Sequence, residues 1–157
     1  MGTHHRGSET ERAALEAFIK LRRAAESVSN RVNRHLAAAA LTESQFGVLE
    51  ALLHLGPLSQ AILASKILRS SGNLTLVVDN LEKRGLVVRS RESRDRRFIT
   101  VSLTPAGDQL IRSLFPAHLE RIVDEFARLS PAEQAELARL CRKLGLVNGP
   151  AAAASRR

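Results

Sequence analysis

Apolar residues recur every three or four positions over most of the chain, which is the period of an amphipathic helix. The first such stretch runs from Glu11 to about Ala38, and Thr10 is its expected N-cap. Its apolar side chains form one narrow stripe, which consists of Leu15, Phe18, Leu21, Ala25, Val28, Val32 and Leu36. A single small domain rarely needs so narrow a stripe along so long a helix. The pattern therefore favours a first helix that packs against a partner helix.

Three shorter helices are predicted within residues 42–85. Thr42 and Gln45 have the spacing of a capping box, in which each side chain accepts a hydrogen bond from the other residue's backbone N–H. The third of these helices has an apolar face with helical spacing, made of Leu74, Val77, Val78 and Leu81. The three helices are bounded by residues that commonly cap, turn or end a helix, namely Thr42, Gly56-Pro57, Ser59, the turn Arg69–Gly72, and Gly85.

The apolar period then changes from about 3.6 to 2, which is typical of strands. Leu86–Arg91 and Phe98–Leu103 are the two predicted strands, and the polar segment Glu92–Arg97 joins them as a charged hairpin tip. Two more helices follow, and their boundaries are marked by Thr104-Pro105, by Ser130 with Glu133, and by Gly145.

The composition limits what kind of protein this is. The chain has 157 residues, which suits one domain with its own core. Hydrophobic residues make up 44% and aromatic residues only 3%, so the core is expected to be aliphatic. A single cysteine excludes an internal disulfide and a multi-cysteine zinc site, and it fits a reducing compartment, so we expect a cytoplasmic protein. No run approaches about 18 apolar residues, so no membrane span is expected. Residues 1–10 and 148–157 lack periodicity and are expected to be disordered.

Positive charge is concentrated in the middle of the chain. There are 24 Lys and Arg residues against 16 Asp and Glu residues, and 20 of the 24 are arginines. Between Pro57 and Thr104 there are nine basic and four acidic residues, a net +5 of the total +8. Arginine binds phosphates bidentately, so this distribution favours a nucleic-acid partner, although a high-GC coding sequence also enriches arginine. Three helices followed by a hairpin are the element order of a winged helix-turn-helix, whose last motif helix enters the DNA major groove.

Three spaced motifs resemble the MarR family of transcriptional regulators. The run from Asp79 to Val87 matches that family's D-x-L-E-x-x-G-L-V pattern at the end of the recognition helix. Asp95 and Arg97 match its D-x-R pattern in the wing. Leu103-Thr104 and Gly107 match its L-T-x-x-G pattern, which leads into the next helix. The resemblance extends over nearly the whole chain.

The resemblance implies a mainly α (α+β) fold, with a winged helix-turn-helix lobe in residues 41–104 between dimerisation helices in residues 11–40 and 105–147. It implies a homodimer that reads a palindromic operator, with half-sites about one DNA turn apart. Such regulators are usually repressors, and many are released by a small anionic or phenolic effector. The scarcity of aromatic residues favours an aliphatic, arginine-lined effector pocket. The side chains expected at the dimer interface are Leu15, Phe18, Leu21, Val28, Leu137, Leu140 and Leu144.

Polar residues at the start of the recognition helix are the expected base readers. Asn73 suits adenine, and the methyl group of Thr75 suits the methyl group of thymine. Leu76 stands where family members often have arginine, so one contact is expected to be missing. Arg94 or Arg96 of the wing is expected in the minor groove, and the neighbouring Asp95 is expected to orient an arginine or cap the turn. The complete expected set is Ser70, Ser71, Asn73, Thr75, Lys66, Arg69, Arg89, Arg94, Asp95, Arg96 and Arg97, of which Lys66, Arg69 and Arg89 are expected on phosphates.

Other interpretations remain open on the sequence. Turn and cap chemistry also accounts for Ser71 and Asn73. Intramolecular ion pairing is the preferred interpretation of Asp79, Glu82 and Arg84. His54 is expected to be a half-buried helix residue, and Cys141 a buried structural one. The sequence contains none of the common phosphate-loop, nucleophile or metal-ligand motifs, so no enzyme, cofactor or metal is expected. A ligand-independent or nonspecific DNA-binding architectural protein and a protein-interaction module remain alternatives.

Overall fold

The computed structural model describes residues 5–67, 71–91 and 99–145, and these are mostly helical with one small sheet. The described elements are α1 (Glu9–Asn33), a 3₁₀ helix (Arg34–Ala39), α2 (Glu43–Leu55), β1 (Leu58–Ser59), α3 (Gln60–Lys66), α4 (Ser71–Lys83), β2 (Val87–Arg91), β3 (Ile99–Leu103), α5 (Pro105–Phe126) and α6 (Pro131–Gly145). The mainly α (α+β) class and the winged helix-turn-helix order are confirmed. The chain divides within α5, between Leu119 and Glu120, into two compact units.

The first helix begins two residues earlier than the sequence predicted. The Ser8 hydroxyl accepts a hydrogen bond from the Glu11 N–H at 3.2 Å, and the Glu11 carboxylate accepts one from the Ser8 N–H at 2.7 Å. This reciprocal capping box satisfies two of the backbone donors that a helix start leaves free, so Ser8 and not Thr10 is the N-cap. Residues 8–10 thus belong to the helix start and not to the disordered N-terminus that the sequence predicted.

The first helix also ends earlier than predicted, because the chain tightens into a 3₁₀ helix at Arg34. That segment ends at Ala40, which has a φ of 50° and lies in the left-handed region. Ala40 and Leu41 donate their N–H groups to the carbonyls of Ala37 and Leu36, both at 3.0 Å. Such bonds close a helix end, so the predicted α-helix as far as Ala38 is wrong in its last turn.

An aliphatic core holds the first unit together. It is formed by the 3₁₀ helix, α2, α3, α4, the sheet and the first half of α5, and Phe46 is the one aromatic residue among its buried side chains in the described ranges. The largest side chains that are almost completely buried are Leu36, Leu49, Leu63, Leu74, Leu81 and Ile111. Burial of each leucine contributes roughly 1.5–3 kcal/mol relative to leaving it exposed, so these positions dominate the stability of the unit. The composition correctly predicted a core with little aromatic content.

The sheet has three antiparallel strands in the order β1-β3-β2. Val87 pairs with Leu103 and Arg91 pairs with Ile99, while Leu58 of β1 pairs with Val101. The first hairpin strand starts one residue later than predicted, because Leu86 donates its N–H to the Leu81 carbonyl at 3.0 Å and so belongs to the end of α4.

The junction between the sheet and α5 depends on a close backbone approach. Thr104 donates its N–H to the Leu86 carbonyl at 3.1 Å and its hydroxyl to the Gly85 carbonyl at 2.6 Å. The same hydroxyl oxygen accepts the N–H of Gly107 at 3.0 Å. A Cβ atom on Gly107 would lie 1.9 Å from the Leu86 carbonyl oxygen, so this position requires glycine. The L-T-x-x-G motif is therefore explained by the packing of α5 on the end of α4.

The second unit contains the end of α5 and all of α6. Ser130 and Glu133 form the predicted capping box, in which the Glu133 carboxylate accepts the Ser130 N–H at 2.8 Å. The Gln134 amide donates to the carbonyls of Phe126 and Leu129, at 3.0 and 3.1 Å. None of the described residues of α6 is buried. Cys141 is exposed, so the prediction of a buried structural cysteine is wrong for the single chain.

Across the described ranges, no individual helix has the length and apolar character needed to cross a membrane. A pair of helical segments bent by 85°, Glu9–Ala39 and Glu43–Leu55, passes that test when taken together.

Candidate nucleic-acid interface

Helix α4 has one face in the core and the opposite face in solvent. Leu74, Val78 and Leu81 are at most 1% exposed, and their spacing of four and three residues puts them on one side of the helix. Asn73 and Thr75, the two expected base readers, are both exposed. The apolar spacing that the sequence shows thus fixes which polar side chains of α4 can reach a partner.

A partly buried ion-pair cluster joins α4 to the hairpin. The Arg89 guanidinium on β2 donates to the Asp79 carboxylate at 2.6 Å and to the Glu82 carboxylate at 2.7 Å. The Glu82 carboxylate also accepts the backbone N–H of Arg89 at 3.0 Å, and the Thr75 carbonyl accepts a longer bond of 3.4 Å from the guanidinium. The Arg89 side chain is only 19% exposed. We call Asp79, Glu82 and Arg89 the helix–wing cluster.

This cluster changes the role that the sequence suggested for Arg89. A phosphate contact needs a guanidinium free to face the DNA backbone, whereas both terminal nitrogens of Arg89 are engaged by carboxylates of its own chain. In place of the expected phosphate contact, we therefore propose that Arg89 positions the hairpin against α4. The sequence correctly indicated intramolecular pairing for Asp79 and Glu82 but did not identify their partner, which lies seven to ten residues away on a strand.

Arg84 is also used within the molecule. Its guanidinium donates to the carbonyl of Ala40 at 2.7 Å and to that of Ala39 at 3.0 Å. These carbonyls lie at the end of the 3₁₀ helix, where the chain leaves oxygens without helical partners. The expected pairing of Arg84 is thus intramolecular, but its acceptors are backbone oxygens and not carboxylates. No periodicity in the sequence signals an interaction across 44 residues.

The remaining expected DNA contacts are placed only in part. Lys66 is exposed at the last residue of α3, and Ser71 is the first residue of α4. The others lie outside the described residues, namely Arg69, Ser70, Arg94, Asp95, Arg96 and Arg97, as does the wing tip that carries four of them. Asn73 and Thr75 are both exposed on α4, and the rest of the set stays a prediction.

The expected dimer residues are largely exposed in the single chain. Phe18 is 56% exposed and Leu21 is 41% exposed on α1, and Leu15 and Val28 are partly buried there. On α6, Leu137, Leu140 and Leu144 are 37%, 43% and 65% exposed. Both helices therefore carry apolar surface that the described chain does not cover.

A cleft of about 460 Å³ lies within the first unit, beside α2. The described residues that line it include seven polar side chains and no arginine, so this cleft does not have the arginine lining that the sequence led us to expect of an effector pocket. The polar lining residues are Asn33, Glu43, Ser44, Glu50, His54, Lys66 and His118. His118 is buried and its ring stacks 4.2 Å from that of Phe46. His54 is exposed and not half-buried, with its ring edge-to-face on Phe115 at 4.7 Å.

Among residues 5–67, 71–91 and 99–145, no group of three or more His, Cys, Asp or Glu side chains is arranged to hold a metal ion. The chemistry available on α4 is hydrogen bonding by amide and hydroxyl groups next to an apolar side chain, which suits recognition and not bond breaking.

The three-helix lobe, the hairpin braced against its last helix and the exposed polar start of that helix define a winged helix-turn-helix DNA-binding protein. The MarR family model matches residues 41–99. The HTH-type transcriptional regulator YkoM of Bacillus subtilis strain 168 is 36% identical over 138 residues, which are 88% of this chain and 89% of that protein. The chain belongs to the MarR family and is a DNA-binding transcriptional regulator.

Two further relatives support this membership. The HTH-type transcriptional regulator MhqR of the same Bacillus subtilis strain is 36% identical over 135 residues, covering 85% of this chain and 92% of that protein. Among solved structures, Bordetella bronchiseptica BpsR superposes with a TM-score of 0.75 at 29% identity, covering 82% of this chain and 98% of that one. The DNA binding of BpsR is regulated by 6-hydroxynicotinic acid. The relatives are transcriptional regulators and not enzymes.

Proposed function

We propose that this protein is a homodimeric repressor that binds a palindromic operator sequence-specifically and is released from it by a small phenolic effector. The observation that carries the proposal is the solvent face of α4, where Asn73 and Thr75 are exposed while Leu74 and Val78 hold the helix in the core. A nonspecific binder needs only cations along the phosphate backbone, whereas an exposed amide and hydroxyl can read base edges. This face therefore favours a specific regulator over an architectural DNA-binding protein.

Exposed apolar side chains on α1 and α6 support the homodimer. A monomer gains nothing from leaving Phe18 and Leu140 in water, and contiguous apolar surface usually marks an interface. A second copy of the chain would offer the same two helices and so form a self-complementary interface around a two-fold axis. Two lobes related by that axis would read two inverted half-sites, which is why the operator is proposed to be palindromic.

The remaining positive groups are proposed to serve the DNA backbone and the minor groove. Lys66, at the exposed end of α3, is proposed to contact a phosphate, as are Arg69 and the hydroxyls of Ser70 and Ser71. Arg94 or Arg96 of the wing is proposed to enter the minor groove, with Asp95 orienting a neighbouring guanidinium. Arg97 is proposed to contact the backbone beside them.

The polar cleft beside α2 supports a phenolic effector. The carboxylates of Glu43 and Glu50 can accept hydrogen bonds from hydroxyl groups, and Lys66 of the same lining can pair with an acid group. The apolar part of the lining, which includes Phe46 and Ile67, suits a ring. BpsR, whose DNA binding is regulated by 6-hydroxynicotinic acid, is a precedent for a hydroxylated ring as effector, and that compound also carries a carboxyl group. Bound effector would lower DNA affinity by favouring a lobe arrangement that cannot span both half-sites.

Selection of DNA from a random pool by the purified protein tests the main proposal. We expect a two-fold symmetric site, and we expect binding to that site to exceed binding to unrelated DNA at the same salt concentration by about 10³-fold or more. A ratio near one would identify a nonspecific architectural protein. Protein that binds no DNA under any of these conditions would favour a protein-interaction module.

The double variant Arg94→Ala/Arg96→Ala tests the wing. We expect it to weaken operator binding while the sedimentation coefficient of the dimer stays unchanged. Arg112→Ala is the matched control, because Arg112 is an exposed arginine on α5 that pairs with Asp108 at 2.8 Å. Equal operator affinity in the double variant and the control would contradict the role proposed for the wing.

A further inference from the structure

Leu76 is a large apolar side chain on α4 that points away from the core of the first unit. It is 59% exposed, while Leu74, Val78 and Leu81 of the same helix are buried. With 3.6 residues per turn, Leu76 lies almost opposite these three residues, on the side of α4 that faces solvent. The core therefore does not account for a leucine at this position.

The neighbours of Leu76 place it on the surface that reads DNA. Asn73 lies one turn before it on the same face, and the exposed Thr75 is adjacent in sequence. This face belongs to the segment with a net charge of +5, which is complementary to DNA. When α4 lies in a major groove, this face of the helix turns toward the base edges, and Leu76 is placed to contact them.

The base edges offer one group that suits a leucine. In the major groove, adenine, guanine and cytosine present hydrogen-bond donors and acceptors, whereas thymine also presents an apolar C5-methyl group. A leucine placed over an amino or carbonyl group would strip it of water without replacing its hydrogen bond, which is unfavourable. A leucine placed over a methyl group removes apolar surface of both partners from water, which is favourable.

We propose that Leu76 is a specificity-determining residue that reads the C5-methyl group of a thymine in each operator half-site. This inference rests on the proposed sequence-specific function and adds which residue selects thymine and through which atom. It also replaces the view of this position as one that merely lacks an arginine, because the apolar side chain supplies an interaction of its own.

Replacement of thymine by uracil in the selected operator provides the test, because it removes only the C5-methyl group. Each thymine is replaced singly, and the Kd of the full-length protein is measured by fluorescence anisotropy at one salt concentration. Besides any thymine that the methyl group of Thr75 contacts, we expect a position in each half-site where uracil weakens binding about fourfold through Leu76, the effect of one buried methyl group. For Leu76→Ala we expect uracil and thymine at that position to bind equally.

Thr75→Ser is the matched control, because it removes the one other methyl group that the exposed start of α4 offers to a thymine within the described residues. The uracil effect should persist in this variant, and the melting temperatures of both variants should stay near that of the unchanged protein. If the effect persists in Leu76→Ala, or disappears only in Thr75→Ser, Leu76 does not read thymine. If no thymine in a specific operator responds to uracil, the inference is wrong while the proposed function stands. If no specific operator exists, both are wrong.

Discussion

Gly107 lies in the first turn of α5 directly against the carbonyl of Leu86. Since a Cβ atom there would lie 1.9 Å from a backbone oxygen, no side-chain rotation can relieve the clash and the helix itself must move. We expect Gly107→Ala to lower the free energy of unfolding by about 1–3 kcal/mol, measured by denaturant titration.

Gly145→Ala is the control for that measurement. An added Cβ at Gly145 meets nothing within 4 Å, so this second substitution adds the same atom without a clash. Equal stability of the two variants would mean that α5 does not pack against Leu86 as described.

In the capping box at the start of α6, the pKa of the Glu133 carboxyl group depends on Ser130. Hydrogen bonds from the Ser130 backbone N–H and then from its hydroxyl hold the pKa of Glu133 below its ordinary value. Because the pKa is lowered in the folded protein, the stabilisation from this cap is present above the ordinary pKa and is lost as the pH falls through the lowered one.

Ser130→Ala should therefore raise the pKa of Glu133 part of the way to its ordinary value, since the hydroxyl bond is removed and the backbone bond remains. An NMR titration of the side-chain carboxyl carbon measures this change. Ser8→Ala is the counterpart at α1 and should raise the pKa of Glu11 while leaving that of Glu133 unchanged. A Glu133 titration that does not respond to Ser130→Ala would contradict the capping geometry.

At the scale of elements, the helix–wing cluster fixes the hairpin against α4. Arg89→Met should destabilise the fold by about 1–3 kcal/mol, because it leaves two carboxylates on α4 without their cation in a partly buried site. Arg112→Met is the matched control, because it removes the cation of the exposed pair between Arg112 and Asp108. We expect it to lower the free energy of unfolding by less than about 1 kcal/mol.

The salt dependence of operator binding separates this structural role from binding to a phosphate. Removal of one cation that neutralises a DNA phosphate reduces the slope of log K against log salt by about 0.9. We expect Arg89→Met to leave that slope unchanged, even if the affinity falls. A slope that falls by about 0.9 for each subunit would restore Arg89 to the DNA interface.

Local signals in the sequence were sufficient to predict most helices and strands, but they did not predict the contacts between these elements. The capping boxes at Thr42 and Ser130 and the period-two strands identify elements because each depends on neighbours a few residues apart. The start of α1 was misplaced because Thr10 was predicted as the N-cap, whereas the Ser8 hydroxyl accepts the Glu11 N–H and Ser8 has that role. The partners of Arg84 and Arg89 could not be predicted, since the fold brings them together across several elements.

For the candidate site, the sequence predicted which side chains of α4 are exposed, and it did not predict that Arg89 pairs with carboxylates of its own chain. The apolar spacing of Leu74, Val78 and Leu81 determines that Asn73 and Thr75 are exposed, so those assignments follow from periodicity. Charge alone does not distinguish an arginine that faces DNA from one that braces a strand, because both are basic residues in the same segment. Arg89 belongs to the second kind.

At the scale of the whole molecule, the exposed apolar stripe on α1 should require a second copy of the chain. We expect Leu21→Glu to convert the dimer to monomer in sedimentation velocity, because it places a charge in an apolar interface. Asn30→Glu adds the same charge to an exposed position on the opposite side of α1 and should leave the dimer intact. An unaltered dimer in Leu21→Glu would move the interface away from this stripe.

Arg84 links the end of α4 to the carbonyls of Ala39 and Ala40, the residues through which the chain passes from the first helix to α2. A rotation of this connecting segment either breaks the two hydrogen bonds from the Arg84 guanidinium or moves the end of α4 as well. We therefore expect a tilt of this connecting segment to be transmitted to the end of α4 through these two hydrogen bonds.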